Sequence, residues 1–166
     1  MFIARIEFFK RFHVMDDAHQ LNKNIEFSEK YCQEKGERLT KKRKLVLRTL
    51  LTSKKAISAY ELVDDCKKYY NEIISAMTVY RALEFLQAQG LAHRLELANK
   101  YVACSHIVCQ HQNKPSQFLI CNQCSRVQEI DVDLSMLKGL REVTNKTGFH
   151  LSDSPLELNG VCNKCL

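Results

Sequence analysis

Four cysteines near the C-terminus are grouped as two Cys-x-x-Cys pairs, Cys121 with Cys124 and Cys162 with Cys165. Two intervening residues let a tight turn direct both thiols of a pair toward one metal ion. Two such pairs complete a tetrahedral shell and leave no position for water, so the spacing predicts a structural zinc site. A redox pair or buried free cysteines would explain the pattern less well, because a thioredoxin-like motif needs only one pair.

A second set of metal-ligating residues is more scattered along the chain. His93 lies on the inward face of a segment that alternates apolar and polar residues, a position where a lone histidine is usually a core residue. Cys104 ends the next apolar segment, His111 lies in a polar connection, and Glu129 follows the first cysteine pair. Together they offer sulfur, nitrogen and oxygen ligands, a mixture that suits zinc better than magnesium or calcium.

The composition is that of an ordinary globular protein. The chain has 166 residues, 45% of them hydrophobic, and a formal net charge of +6, which allows one domain or two small ones. No apolar run approaches the roughly 20 residues needed to span a bilayer, and the apolar start lacks a small-residue cleavage site. We therefore expect a cytoplasmic protein whose eight cysteines serve mainly as metal-bound thiolates rather than disulfides, while Cys32 and Cys66 lie on helical stripes and are expected to be buried core residues.

Positive charge is concentrated in the N-terminal half. Residues 1–97 carry 18 Lys and Arg against 13 Asp and Glu, whereas residues 98–166 carry 7 against 6. Residues 38–55 include eight basic side chains and no acidic one, a pattern typical of a surface that faces a polyanion. A charge run alone is more often a solvated face, so its meaning depends on the elements around it.

Three helices are predicted in this half. Thr40 is a suitable N-cap for a short helix over about residues 40–52. The sequence Ser-Ala-Tyr-Glu that begins at Ser58 matches a capping box and starts a second helix. Apolar residues at helical spacing follow Ser75 and predict a third helix, with Gly90 placed where a left-handed residue would end it.

A β-hairpin is predicted directly after the third helix. Residues 91–97 alternate apolar and polar side chains, and a turn then leads into residues 101–104. Three helices followed by a hairpin are typical of a winged helix-turn-helix, in which the third helix enters the major groove of DNA. The basic run then lies on the preceding helix, where Lys and Arg can reach phosphates.

The C-terminal part has a different pattern. After a polar connection, the pattern predicts two strands, an amphipathic helix ended by Gly148, and two more strands at 149–151 and 156–161. Roughly 50 residues provide a thin core, so we expect this part to bury a sheet edge or helix face against a second copy.

These patterns predict an α+β fold, with an N-terminal winged helix-turn-helix DNA-binding domain and a small C-terminal α/β dimerisation domain stapled by the four-cysteine zinc site. The predicted segments are an N-terminal extension, the winged-helix domain, a hinge and the zinc-stapled domain, at residues 1–24, 25–104, 105–116 and 117–166 respectively. We interpret the extension as either a frayed helical turn or an over-long start.

Several stretches resemble the ferric uptake regulator superfamily, and specifically its zinc uptake regulator branch. They are RLTKKRKLVLRTL, ISAYELV, MTVYRALEFLQAQGLAHRLE, KYVAC and FLICNQCSRVQEI, and the resemblance covers residues 25–165. It implies two zinc ions per protomer. The four paired cysteines match the structural site, and His93, Cys104, His111 and Glu129 match the regulatory site.

The resemblance also implies DNA contacts. Tyr60 and Arg81 match positions that contact bases, and an arginine fork can read guanine at about 1–3 kcal/mol of discrimination. The alternatives are a hydrophobic anchor for Tyr60 and a phosphate contact for Arg81. Thr78 and Tyr80 are expected to position the DNA backbone, and the basic residues at the start of the first helix to contact phosphates: Lys41, Lys42 and Arg43.

The chain departs from the family pattern in three respects, one of which is that no histidine-rich tail follows Cys165. Lys41-Lys42-Arg43 stands where Pro-Gln-Arg is usual, which removes a proline from the helix start and adds charge. The hinge is longer and contains His106 and Cys109, either of which could replace or supplement His111. The histidine cluster of iron-type members is missing from this hinge.

The predicted function is a zinc-responsive transcriptional repressor. We expect a zinc-loaded homodimer that binds palindromic double-stranded operator DNA and represses zinc-uptake genes, with no catalysis, no membrane partner and no small organic substrate. The runner-up is a family sensor of iron, manganese, nickel or peroxide. A zinc hydrolase or deaminase fits less well, because four thiolates leave no open position and the deaminase signature is absent. A zinc-stapled interaction module that does not bind DNA would leave the basic helix unexplained.

Overall fold

The fold comes from a computed structural model, which describes residues 3–53, 55–105, 107, 116–152 and 154–166. Within these residues no helix has both the length and the apolar composition that crossing a membrane would require. The elements in chain order are α1 Ile3–Glu34, α2 Lys41–Thr52, α3 Ala59–Tyr70, α4 Ala76–Ala88, β1 Ala92–Leu95, β2 Lys100–Ala103, β3 Ser116–Cys121, β4 Val127–Asp131, α5 Leu134–Lys146 and β5 Glu157–Gly160.

The N-terminal extension is helical. Helix α1 runs for 32 residues and passes through residue 25, so residues 3–24 form one continuous helix with the start of the predicted winged-helix domain. The physical reason is the absence of glycine and proline before Gly36, which has a φ of 73° and ends the helix region. Helix α1 packs on α2 partly through an ion pair of 2.6 Å between Glu29 and Lys44.

The three predicted helices of the N-terminal half are confirmed, together with their caps. Thr40 caps α2 by accepting from the backbone N–H of Arg43. Ser58 opens α3 with a complete capping box, and Ser75 caps α4. Gly90 has a φ of 69°, a conformation that glycine adopts without a steric penalty.

These helices share one core. Its fully buried leucines include Leu47, Leu62 and Leu83, and burial of each such side chain contributes about 1.5–3 kcal/mol. Cys32 and Cys66 are fully buried in the same core, and burial raises the pKa of both thiols. These two cysteines therefore act as small apolar residues rather than as reactive thiolates.

The wing is an antiparallel hairpin. Strands β1 and β2 pair so that His93 lies opposite Val102. The segment before α3 joins it, since Ile57 and Tyr101 exchange backbone hydrogen bonds of 3.0 and 2.8 Å. With α2–α4, this hairpin confirms the predicted winged helix-turn-helix.

The C-terminal sheet has three strands in the order β4-β3-β5. Strand β3 is antiparallel to β4 and parallel to β5, and α5 belongs to the connection between β4 and β5. The predicted strand at 149–151 is wrong, because this segment is not in a strand and its Phe149 is 73% exposed. A parallel pair needs a long crossover connection, and residues 149–151 form part of that return.

The two parts of the chain pack against each other through a second core. Leu95 of the wing and Phe118 of β3 are both fully buried, and Ala56 and Ile120 complete the cluster. The wing therefore lies directly on one face of the C-terminal sheet.

Helix α5 follows the predicted amphipathic pattern, but its apolar side is uncovered within one chain. The helix contributes no buried residue, and its exposed apolar side chains are Leu134, Met136, Leu140 and Val143. Monomeric surfaces seldom leave such a row of apolar side chains in water.

Candidate metal centres and nucleic-acid interface

The two cysteine pairs lie side by side at one end of the C-terminal sheet. Cys121 is the last residue of β3 and pairs in register with Gly160 of the parallel strand β5, just before Cys162. Each pair sits on a tight turn, closed by a hydrogen bond of 2.9 Å from Ser125 to Cys121 and by one of 2.8 Å from Cys165 to Cys162. The parallel register thus brings two turns that are distant in sequence to one place.

The geometry of this cluster fits a tetrahedral zinc ion. The four sulfur atoms of Cys121, Cys124, Cys162 and Cys165 all lie within 4.8 Å of one another, and these cysteines form no disulfide. The Sγ atoms of Cys124 and Cys162 are 3.7 Å apart. Zinc–sulfur bonds of about 2.3 Å place sulfurs about 3.8 Å apart at the corners of a tetrahedron.

The electrostatics of the cluster also favour a cation. Backbone N–H groups, the largest effect coming from Cys162, lower the pKa of Cys121 to about 6. Side-chain hydrogen bonds with Cys124 and Cys162 raise the pKa of Cys165. Such a cluster can hold one thiolate readily, but four thiolates together need a bound dication. The residues present therefore fit zinc.

A second group of ligand atoms converges where the wing meets the C-terminal sheet. The group consists of His93 on β1, Cys104 just after β2 and Glu129 on β4, and its ligand atoms lie within 4.8 Å of one another. The His93 Nε2 atom is 3.4 Å from Glu129 Oε1. This distance matches the edge of about 3.4 Å between nitrogen and oxygen ligands bound to zinc at about 2.0–2.1 Å.

The second group of ligand atoms is largely shielded from solvent. The Glu129 side chain is only 4% exposed and that of His93 22% exposed. The centroids of the Phe118 ring and the His93 imidazole lie 5.2 Å apart, with the two rings tilted by 55°. Burying a carboxylate is costly without a positive partner, so this site also fits a metal cation.

Ser105 fixes the carboxylate of this group, a role that the sequence analysis missed. Its backbone N–H and its hydroxyl both donate to Glu129 Oε2, at 2.8 and 2.7 Å. The other oxygen, Oε1, is left facing His93. The only signal in the sequence was the position of Ser105 directly after Cys104, which does not reveal a contact 24 residues away.

The fourth predicted ligand of this site, His111, lies outside the described residues, as do His106 and Cys109. The described part of the chain therefore brings together three of the four predicted regulatory ligands. Which hinge residue completes the set stays a prediction.

The predicted recognition surface is exposed on α3 and α4. Tyr60 is 67% exposed and Tyr80 38% exposed, and their rings meet edge to face at 6.4 Å. Arg81 is exposed on the next position of α4. Thr78 is half-buried, and its hydroxyl lies 2.8 Å from that of the capping Ser75. Tyr60 is thus free of the core, which favours an interface role over a hydrophobic anchor.

The three basic residues at the start of α2 differ in their surroundings. Lys41 and Lys42 are exposed. Arg43 instead lies 3.5 Å over the Phe85 ring and donates to the carbonyl oxygen of Arg38 at 2.6 Å. Arg43 therefore helps to hold α2 on α4, whereas the two lysines remain available to an external anion.

Comparison with known proteins adds three relationships at the level of sequence. Residues 34–159 match the model of the Ferric uptake regulator family. The zinc uptake regulation protein of Escherichia coli (strain K12) is 35% identical over 143 residues, which cover 84% of this chain and 79% of that protein. The ferric uptake regulation protein of Synechococcus elongatus is 34% identical over 134 residues, which cover 80% of this chain and 88% of that protein.

Two solved structures share the fold. A zinc uptake regulator complexed with zinc and DNA aligns with a TM-score of 0.74 at 32% identity, over 87% of this chain and 94% of that one. A structure of holo XcZur aligns with a TM-score of 0.67 at 37% identity, over 87% of this chain and 97% of that one.

Proposed function

The chain belongs to the ferric uptake regulator family, and we propose that it is a zinc-responsive transcriptional repressor that controls zinc-uptake genes in the cytoplasm. The observation that carries this proposal is the convergence of His93, Cys104 and Glu129 at the junction of the wing and the C-terminal sheet. Zinc uptake regulators among the similar proteins support the same conclusion, including one complexed with zinc and DNA.

Zinc is the proposed ion because of the thiolate in the junction site. Cys104 supplies a soft ligand, while His93 supplies an imidazole and Glu129 a carboxylate. Thiolate with imidazole favours zinc over the harder manganese and magnesium ions. Since the similar proteins also include ferric uptake regulation proteins, a sensor of iron or another metal is the alternative. No catalytic step belongs to either proposal.

Two zinc ions per protomer are proposed, with different tasks. Four thiolates would hold the structural ion within the C-terminal domain, at the ends of β3 and β5. His93, Cys104 and Glu129, with His111 as the proposed fourth ligand, would hold the regulatory ion between the domains. A structural ion stabilises its own domain, whereas an ion between domains selects one of their arrangements.

The coupling of zinc to DNA follows from that position. His93 belongs to the wing and Glu129 to the C-terminal sheet, so both can ligate one ion only when the wing is docked. Zinc shifts the population toward this arrangement because it binds that arrangement better than an undocked one. The docked arrangement is the one we propose to be competent for DNA.

The DNA contacts are proposed from exposure and chemistry. Arg81 would read a guanine with its guanidinium fork, and Tyr60 would contact a base from α3. Thr78 and Tyr80 would position the DNA backbone. Lys41 and Lys42 would contact phosphates, and Arg43 would support them through its contact with Phe85.

We propose that the protein binds palindromic operators as a homodimer. The uncovered apolar side of α5 and the half-exposed Leu119, Leu158 and Val161 near the cysteine cluster offer surfaces that a second copy could cover. A two-fold dimer would present two recognition helices to two half-sites of opposite orientation.

Selection of bound duplexes from a random DNA pool, at free zinc concentrations buffered by a chelator, tests this function. We expect enrichment of a palindrome, bound with zinc and released when zinc is removed. Binding of the enriched duplex is then measured with Fe(II) and Mn(II). Restoration of binding by either ion at a lower free concentration than zinc would make the chain a sensor of that metal instead.

A further inference from the structure

The carboxylate of Glu157 spans the junction between the C-terminal sheet and the wing. Its Oε1 accepts a hydrogen bond from the backbone N–H of Glu96 at 2.6 Å, and its Oε2 accepts one from that of Leu97 at 3.2 Å. Glu157 begins β5, whereas Glu96 and Leu97 begin the turn between the two wing strands. One side chain of the C-terminal domain thus binds both N–H groups at the start of the wing turn.

The rest of the wing turn is stabilised from within. Asn99 has a φ of 47° and donates its backbone N–H to the carbonyl oxygen of Glu96 at 3.3 Å. Its side-chain oxygen accepts from Arg94 at 3.1 Å. Among the described residues, Glu157 binds two more N–H groups of this turn from the other domain, those of Glu96 and Leu97. Hydrogen bonds to an ionised acceptor are stronger than those between neutral groups.

Glu157 lies in the same row of the sheet as the proposed metal ligand Glu129. Phe118 of the central strand β3 pairs in register with Glu129 on one side and with Glu157 on the other. Residues directly opposite in adjacent strands project from the same face of a sheet. The row Glu129, Phe118 and Glu157 therefore faces the wing.

Strand β1 and the turn that follows it lie along this row and together contact each of its members. His93 faces Glu129 and the ring of Phe118. Two residues further on, Leu95 packs in the cluster that contains Phe118. The turn that follows β1 is then bound by Glu157. The metal ligands thus meet at one end of the row and the Glu157 contact lies at the other.

We propose that Glu157 is a positioning residue for the regulatory metal site. Its carboxylate anchors the far end of β1 to the sheet, so that His93 is held against Glu129 before the ion binds. This inference rests on the proposed function in taking zinc as the ion of that site. The two hydrogen bonds of Glu157 to the wing do not depend on it.

The effect of Glu157 on zinc affinity follows from the fraction of molecules in which the wing is docked on the sheet. When only the docked arrangement can bind the ion, the apparent dissociation constant equals the intrinsic constant divided by the docked fraction. Loss of the Glu157 contact lowers the docked fraction. By reciprocity, zinc at the regulatory site strengthens the contact of Glu157 with the wing turn.

The variant Glu157→Gln tests this role in the purified full-length dimer. Glutamine keeps one acceptor oxygen but opposes the second backbone N–H with an amide N–H₂ group. We expect affinity for the second zinc to fall by up to about 10-fold, the size of one charge-assisted hydrogen bond. Hydrogen exchange at residues 96–98 should become faster in the same variant. Glu142→Gln is the matched control, because it removes an exposed carboxylate from α5 with the same change of charge.

Competition with a zinc chelator measures the affinity, and mass spectrometry measures the exchange. The first, structural zinc and the dimer should be unaffected in both variants, which excludes general damage to the domain. Unchanged zinc affinity in Glu157→Gln would overturn the proposal, and so would unchanged exchange at 96–98. If the wild-type dimer bound only one zinc per protomer, the proposed function itself would fail, whereas the exchange measurement would still report on the wing contact.

Discussion

The two candidate metal sites use similar chemistry but draw their ligands from different parts of the molecule. The four cysteines lie in one domain, on two turns that the parallel pairing of β3 and β5 holds side by side. The junction site takes His93 and Cys104 from the wing hairpin and its end, and Glu129 from the sheet. An ion in the first site is therefore linked to the folding of one domain, and an ion in the second to the arrangement of two.

The difference explains why one site can be structural and the other regulatory. Backbone N–H groups lower the pKa of Cys121, so the cysteine cluster is prepared by its own turns. In the junction site, Ser105 orients Glu129, but His93 reaches Glu129 only when the wing is docked. Sensing requires a site whose completion depends on a change of arrangement, and four thiolates on one sheet do not meet that requirement.

Cys162→Ser should have the largest effect of any change in either site. Loss of one thiolate weakens an ion whose binding contributes folding free energy, so we expect the C-terminal domain to lose zinc and unfold. Metal analysis and thermal unfolding measure the outcome. Cys104→Ser is the matched control, since it removes a thiolate from the other site and should leave the fold intact. A zinc-loaded Cys162→Ser protein of wild-type stability would contradict the structural role.

His93→Ala should remove the ion of the junction site and leave the four-cysteine site intact. We expect one zinc fewer per protomer, an intact fold, and zinc-dependent operator binding weakened about 100-fold or more, because only the ion between the domains is lost. Zinc titration and DNA binding measure these effects. His150→Ala removes an exposed histidine and serves as control. Normal zinc-dependent operator binding by His93→Ala would identify His93 as a core histidine and not a metal ligand.

Arg81→Ala should leave both zinc sites unchanged and alter only the reading of DNA. We expect a loss of roughly 1–3 kcal/mol on operator DNA and relaxed preference at one base pair per half-site. Lys42→Ala, in contrast, should weaken binding to all sequences about equally. Affinities for operator and random DNA at fixed salt measure the difference. An equal loss on both DNAs would identify Arg81 as a phosphate contact.

Ser105→Ala should have the smallest effect of these changes, and it tests how Glu129 is oriented in the junction site. It removes the hydroxyl that donates to Glu129 Oε2 but keeps the backbone donor. Loss of such a supporting contact typically costs 10–100-fold in metal affinity, and we expect about 10-fold because one donor remains. Chelator competition measures the second zinc, with Ser152→Ala as an exposed control. An unchanged affinity would mean that the backbone donor alone orients Glu129.

The sequence alone determined the features that depend on short segments. Cap residues and apolar spacing predicted α2, α3 and α4, alternation predicted the wing, and two Cys-x-x-Cys pairs predicted the four-cysteine cluster. The resemblance to the ferric uptake regulator superfamily, carried by short motifs, assigned His93, Cys104, His111 and Glu129 to one metal site, and the structure brings the first, second and fourth of these together. Each of these signals lies within a few residues, where backbone sterics and helical or strand periodicity act directly.

How distant segments meet follows from the tertiary structure and not from any local pattern. The parallel register of β3 and β5, the absence of a strand at 149–151, and the contacts of Ser105 and Glu157 all join residues far apart in sequence. Arg43 likewise carries a charge that suits DNA, yet its position over Phe85 depends on the packing of α2 against α4. A side chain's type states what it can bind, but many partners compete for it, and the packing of the whole chain selects one.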